Sequence, residues 1–425
     1  MNITLVKSQL YFPSNNQNQW DTIPPSSLGW CQNKIDSLYT FLDTNNTKAF
    51  ILLKDGKIVL EKYFNGHSEN ANWYWASAGK TITAFMVGIA QQENFLHISD
   101  TTSKYLGQGW TDCTLAQEEK ITILNQLTMT TGLEDGLDPH CTIDTCLIYR
   151  ANSGARWAYH NAPYTLLDGV IANATGQSLN LYTNSKLKIP TGMNGIFVQQ
   201  GFNNVYFSTA RSMARFGLLI LNKGKWNTNQ ILTDTSYFND MVSTSQSLND
   251  AYGYLWWLNG TNTFMAPQSQ LVFNSSISPD APSDMIAALG KDGQILTIIP
   301  SQNIVMVRMG GSPNNSLVPF TLNNDIWKHL NEFQCSTVDI PENMIEKYSF
   351  RILPNPCHDF LSIEIANRTS SSIQYSVYTT SGKLIRNGNF NTNIYNLNTS
   401  EFKSGIYLLQ LSSTSFTKTF KFIKQ

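Results

Sequence analysis

The sequence predicts an α/β protein of the α+β kind: an antiparallel sheet flanked by helices, with a helical insertion lobe, and then a small C-terminal all-β sandwich. Three observations lead there. β-rich runs stand near both ends of the first 335 residues, at Ala49–Phe64 and Met285–Gly310. Patterns of helical period fill much of the interval between them, residues 77–245. Beyond Cys335 the chain becomes β-rich and turn-rich, and its charge balance changes sign.

The first β region, "AFILLKDGKIVLEKYF", is a hairpin in outline, two β-rich runs around the turn dipeptide Asp55-Gly56. The second, "MIAALGKDGQILTIIPSQNIVMVRMG", breaks at Lys291-Asp292-Gly293 and again at Pro300–Asn303. "ITILNQLTM", "PYTLLDGVIANAT" and "ARSMARFGLLILNKG" carry apolar residues at helical spacing, as does "TLNNDIWKHLNEF" at 321–333. Strands from the two ends can form one sheet, with the helical segment inserted between them. A groove between two such lobes is a common place for a site. "STVDIPENMIEKYSF" then reads as a polar connector. The expected division is a domain over 1–335, a linker over 336–347 and a separate domain over 348–425. That last stretch holds eight Lys or Arg against three Asp or Glu.

A chain of 425 residues has room for two or three domains. Its formal net charge of −1 points to no nucleic-acid partner and no polybasic membrane surface. No apolar run approaches the length of a membrane span. The first twenty residues hold one lysine and no continuous apolar core, so no signal peptide is visible there. The six cysteines include no Cys-x-x-Cys and the six histidines no His-x-x-x-His, so neither a metal nor another cofactor is expected. "CTIDTC" could close a small disulfide ring between Cys141 and Cys146; free thiols are the alternative until the compartment is known.

"WYWASAGKTITAF", Trp73 to Phe85, admits two chemistries. Gly79-Lys80-Thr81 looks like the end of a phosphate-binding loop, but that loop needs a glycine where Tyr74 stands. Ser77-Ala78-Gly79-Lys80 instead places a serine and a lysine one helical turn apart. Ile82, Phe85, Met86, Ile89 and Ala90 follow at helical spacing, so a buried helix begins there. A desolvated lysine loses proton affinity and can act as a base toward a serine. A capping serine beside a solvated lysine is the plainer alternative. Elsewhere, Tyr159-His160-Asn161 opens a helical pattern and supplies a phenol and an amide. Lys291-Asp292-Gly293 lies between strand patterns, where Gly293 would let a substrate lie against the strand edge.

Taken in order and at these separations, Ser77-x-x-Lys80, Tyr159-x-Asn161 and Lys291-x-Gly293 resemble the serine β-lactamase and penicillin-binding-protein superfamily. The class C-like branch, with its esterases and 6-aminohexanoate-dimer hydrolases, is the most similar. The likeness runs from about residue 30 to 333. It implies a β-lactamase/transpeptidase-like fold and a serine hydrolase working through an acyl-enzyme without a cofactor. Position by position, it implies that Ser77 is acylated and that Lys80 and Tyr159 share base and acid duties. It further implies an oxyanion hole of the Ser77 and Gln294 N–H groups, with Asn161 and Lys291 positioning a small-molecule or peptide-like substrate. Burial beside "WYW" and a neighbouring cation at Lys291 are both expected to lower the pKa of Lys80, and the two ammonium groups that of Tyr159, so that the pair titrates as a unit. Two departures stand out: His160 fills the middle of Tyr-x-Asn, and Asp292 replaces a usual threonine or serine. An acid beside Lys291 should weaken its hold on a substrate carboxylate, which favours an esterase or amidase over a penicillin-directed or D-amino-acid peptidase activity. A catalytically silent binding homologue is the rival from another class.

The tail resembles a second family. "ILPNPCHDFLSIEI", "YSVYTTSGKLIRNG" and "FKSGIYLLQLSSTSFTKTFKFIKQ" are similar to the C-terminal sorting domain of type IX secretion substrates in Bacteroidetes. This implies export through the periplasm to the cell surface or beyond, with the type IX machinery as partner. An oxidising compartment would then favour a Cys141–Cys146 disulfide, with Cys31 and Cys335 as a second candidate pair.

Overall fold

The computed structural model describes residues 10–16, 19–312, 316–335, 349–366, 372–413 and 416–425. The first nine residues and the expected linker, 336–347, lie outside the described residues. Two compact units divide the chain, Met1–Cys335 and Ser336–Gln425.

The first unit is organised by six strands: β1 (Thr47–Lys54), β2 (Lys57–Tyr63), β3 (Trp257–Leu258), β4 (Ile286–Gly290), β5 (Gln294–Ile299) and β6 (Ile304–Gly310). They form one antiparallel sheet in the order β2-β1-β6-β5-β4-β3. The early hairpin and the late strands thus meet where β1 pairs with β6, from Thr47 opposite Gly310 to Lys54 opposite Ile304. Every residue of β5 and β6 is buried, so the sheet is covered on both faces. That explains why these strands read as continuous apolar runs rather than as alternating ones.

Four longer helices complete the frame: α1 (Gln32–Thr44), α2 (Lys80–Gln92), α3 (Ala210–Leu221) and α4 (Phe320–Asn331). α3 packs on β1, β5 and β6, while α1 packs with α4 and on β1. α2 is buried along its whole length from Lys80 to Ala90. A helix apolar on nearly every side belongs in the middle of a lobe, and α2 sits there. The expectation of helices and loops over 77–245 missed a small sheet, in which Trp73–Tyr74 pairs with Asn203–Ser208 and that strand pairs with Ile196–Gln200. It anchors the chain just before Ser77. Disulfides join Cys31 to Cys335 and Cys141 to Cys146.

The second unit is all-β. β7 (Ser349–Leu353), β8 (Phe360–Ala366) and β11 (Ile394–Asn398) form one sheet in the order β7-β8-β11. β9 (Ile373–Thr379), β10 (Leu384–Phe390), β12 (Gly405–Ser413) and β13 (Phe416–Lys424) form the other, in the order β10-β9-β12-β13. Leu361 and Ile363 from the first sheet share one core with Val377, Leu409, Leu411 and Phe422 from the second. The predicted fold class holds for both units. No helix of the described residues is long and apolar enough to cross a membrane.

Candidate active site

Ser77 stands in a single 3-10 turn, Ala76–Gly79, that runs directly into α2. The turn is held from below. Trp75 is fully buried, its N–H donates to Tyr206 O at 2.8 Å, and its indole donates to Ser208 Oγ at 2.8 Å. Ala76 has φ 46°, a left-handed conformation that a residue with a Cβ rarely adopts. Strain of this kind persists only where the surroundings over-determine it, and here it sits immediately before the serine.

Lys80 follows one turn later and is only 3 % exposed. Its Nζ is 2.9 Å from Ser77 Oγ. The rings of Tyr164 and Tyr159 face the same nitrogen at 4.1 Å and 5.3 Å to their centroids. Among the described residues no carboxylate pairs with it. Burial pushes the Lys80 pKa down from its ordinary 10.5 to about 7. Tyr159 is buried as well, stacked on Trp257 at 5.8 Å between centroids, and it lines the same cavity as Ser77. Burial raises this phenol well above its ordinary value, and the neighbouring Ser77 hydroxyl only partly offsets that. The expectation that Tyr159 would be acidified is therefore corrected. Desolvation favours its neutral form, and for Lys80 the expected burial is the cause of the shift while the expected Lys291 charge is not.

Ser77, Tyr159, Asn161 and Lys291 line one cavity of ≈ 120 Å³, together with Pro139, His140, Pro267, Gln268 and Leu317. Asn161 opens the short helix Asn161–Thr165, and its Nδ2 lies 3.2 Å from His140 Nδ1. The same His140 nitrogen is 3.0 Å from Asn203 Oδ1. His140 adjoins the Cys141–Cys146 ring, so that disulfide borders the cavity wall. His160, by contrast, turns inward: it is 2 % exposed, and burial pushes its pKa down to about 4. A larger polar cavity of ≈ 200 Å³ lies elsewhere, lined by Trp20, Arg211 and Arg215 among others. Its arginines already bond protein groups, Arg211 to Glu61 and Arg215 to the carbonyls of Thr191 and Ser14.

Lys291–Gly293 is the tight turn between β4 and β5, with Gly290 opposite Gln294 in register. Three expectations change here. Gly293 is not a shelf for substrate: it is buried with φ +86°, and a Cβ on it would lie 2.2 Å from Arg308 Nη1. The glycine at the serine is Gly290, where a Cβ would stand 2.3 Å from Trp75 O and 3.1 Å from Ser77 N. Gln294 does not line the cavity; it is fully buried, and its amide is locked to the Gly310 carbonyl at 2.6 Å and N–H at 3.1 Å. Asp292, finally, does not sit over the cavity beside Lys291, because Tyr74 donates to its Oδ2 at 3.0 Å.

Several of these groups escaped the sequence reading. His140, Pro267, Gln268 and Leu317 come from loops that no periodic pattern marks. Arg308 left a signal: it is the one charged residue in "IVMVRMG", a strand otherwise apolar.

An antiparallel sheet with an inserted helical lobe, and a Ser-x-x-Lys at the head of that lobe's buried helix, defines a β-lactamase/transpeptidase-like protein. The beta-lactamase family model matches residues 47–315. The chain belongs to the beta-lactamase family, whose members of this fold are serine hydrolases. Residues 351–425 match the secretion system C-terminal sorting domain, which marks the protein for export to the cell surface or beyond and implies contact with the secretion machinery. No curated protein matches the chain. Among solved structures, a candidate 6-aminohexanoate-dimer hydrolase from Bacillus anthracis superposes with a TM-score of 0.53 at 23 % identity, covering 77 % of this chain and 90 % of its own. A penicillin-binding protein homologue from Caulobacter crescentus gives 0.55 at 11 % identity, covering 71 % and 98 %. A family VIII carboxylesterase gives 0.53 at 12 % identity, covering 73 % and 98 %. At these identities the likeness is one of fold.

Proposed function

We propose that the protein is an exported serine hydrolase that cleaves an ester or amide through an acyl-enzyme, with Ser77 as nucleophile. The observation that carries this reading is the 2.9 Å contact between Ser77 Oγ and a buried lysine whose pKa lies at about 7. Near neutral pH a large share of Lys80 is unprotonated and can take the serine proton as Oγ attacks the carbonyl carbon. Tyr159 stays protonated, bonds to Oγ and relays a proton from Lys80 to the leaving group. The oxyanion hole is read as the N–H of Ser77 with that of Lys291 in place of Gln294, since Lys291 lines the cavity and Gln294 does not. Asn161 orients the substrate. Residues 1–335 make up the hydrolase domain in this reading, 336–347 the linker and 348–425 the sorting domain.

A fluorophosphonate probe tests it. The adduct should map to Ser77 and vanish in Ser77→Ala; an adduct on another serine, or no adduct on the folded protein, would refute the reading and favour a silent binding homologue. One observation supports a second substrate class. With Asp292 engaged by Tyr74, Lys291 is left to meet a substrate carboxylate, as a peptidase of D-amino acids or a penicillin-directed enzyme would require. Comparing p-nitrophenyl esters, D-amino-acid amides and nitrocefin separates the two.

A further inference from the structure

We propose that Arg308 is a positioning residue for this reaction, holding the Lys291–Gly293 turn against the nucleophile. The inference rests on the hydrolase reading above. Arg308 projects from β6 and is completely buried. A guanidinium has five N–H donors, and all five find acceptors here. Nε donates to Thr47 Oγ1 at 3.1 Å. Nη1 donates to Gly293 O at 2.8 Å and Asp292 O at 3.1 Å. Nη2 donates to Asn45 O and Gly311 O, each at 2.6 Å.

None of these acceptors is a carboxylate. Burying a cation without a counter-ion is costly, and a well-packed apolar side chain would suit a strand such as "IVMVRMG" better. A feature that works against stability calls for another explanation. Two of the five bonds go to consecutive carbonyls of the turn itself. In a trans peptide the N–H points opposite its carbonyl, so drawing the Asp292 and Gly293 carbonyls inward fixes the two peptide planes that carry the Gly293 and Gln294 N–H groups, and through them the path of the turn that Lys291 begins. The same turn begins with Lys291 in the cavity wall, directly after Gly290, which touches the backbone of Ser77. Gly293 is the other half of the device. It takes the left-handed conformation of the turn and leaves the space that Nη1 occupies. Any side chain at 293 would displace the guanidinium.

Oxyanion donors act through placement, and loss of one typically costs about 10²- to 10³-fold in kcat. Loosening the turn without deleting a donor should cost less, roughly 10- to 100-fold in kcat, with KM within about threefold because the substrate-binding groups remain. The test uses the full chain and a p-nitrophenyl ester, with Ser77 labelling by fluorophosphonate as a second readout. Arg308→Ala should slow both turnover and labelling by that factor, and added guanidinium ion should restore part of the loss. Arg308→Lys should remain impaired, since one ammonium cannot bridge the turn and the Asn45–Gly311 side together. Thr47→Val removes a single acceptor in a volume-conserving way and should lower kcat several-fold in a folded protein. A folded Arg308→Ala with parental kcat and labelling rate overturns the proposal, as does an Arg308→Ala loss that guanidinium leaves untouched. Should Arg308→Ala not fold, a folded Thr47→Val with unchanged kcat overturns it as well. A parent protein that fails to label at Ser77 instead refutes the underlying hydrolase reading, so the two failures are distinguishable.

Discussion

Replacing Lys80 with methionine should abolish hydrolysis and yet stabilise the fold, and the size of that gain should depend on pH. Methionine nearly matches lysine in length and carries no charge. Lys80 is 3 % exposed without a carboxylate partner, and its pKa falls from 10.5 to about 7 on folding. At about 1.4 kcal/mol for each pH unit, the gap corresponds to a charge-burial cost of about 5 kcal/mol. The sign follows from proton counts. Below pH 7 the lysine is charged in both folded and unfolded chains, and the folded chain bears the full cost. Between about 7 and 10.5 the unfolded chain holds the extra proton, so the stability of the parent rises with pH and the cost shrinks. Lys80→Met should therefore exceed the parent by about 5 kcal/mol at pH 6 and by about 2 kcal/mol at pH 9. Denaturant unfolding followed by tryptophan fluorescence is the assay. All ten tryptophans precede residue 335, so the signal reports the hydrolase unit alone. A variant no more stable than the parent at pH 6, or a margin that stays flat with pH, would refute the claim that Lys80 is held charged at a cost.

Other expectations can be checked alongside. The kcat/KM profile of the parent should rise through a single acidic limb near the Lys80 value of about 7, and a limb at the ordinary lysine range would contradict the burial argument. Tyr159→Phe should cost roughly 10²- to 10⁴-fold in kcat while leaving that limb in place, because the phenol relays a proton rather than setting the titration; a displaced limb would show that Tyr159 titrates with Lys80 after all. Removing Cys141–Cys146 by double serine substitution should raise KM several-fold with kcat little changed, as the ring adjoins His140 in the cavity wall; an unchanged KM would remove the loop from substrate binding. Removing Cys31–Cys335 by double serine substitution should cost roughly 2–5 kcal/mol of unfolding free energy with kcat unaltered, because the bond closes a very long loop. Equal denaturation midpoints for the two proteins would contradict it.

Much of the frame was legible because it is written in local signals. Asp55-Gly56 marked the first hairpin, the apolar runs of 285–310 marked strands buried on both faces, and the stripe after Lys80 marked α2. The spacing of Ser77 and Lys80 was readable for the same reason, since both lie on one helical turn. What did not come through is what depends on tertiary partners. Position 293 reads as a small residue at a strand edge; only the fold reveals that Arg308 fills the space beside it. Asp292 reads as an acid next to Lys291, and the Tyr74 hydroxyl that engages it lies more than two hundred residues earlier in the chain. The direction of the Tyr159 shift was misjudged because sequence proximity says nothing of desolvation, which dominates here. His140, Gln268 and Leu317 carry no signal of their own, as they reach the cavity from loops.

The pairing of β1 with β6 has a consequence for the order in which the molecule can be made. Lys54 waits for Ile304, and Thr47 for Gly310, so the central pair of the sheet is absent until nearly the whole hydrolase unit has been synthesised. The β1–β2 hairpin alone is too small to be stable in water, and α2 awaits the later helices Leu167–Thr175 and Thr235–Met241 that it packs on. Such long-range closure is slow, because loop entropy must be overcome before the contacts reward it. The nascent chain therefore lacks the closed sheet through most of its synthesis. The Cys31–Cys335 bond, spanning 304 residues, can close only once both ends of the unit have been made and share an oxidising compartment.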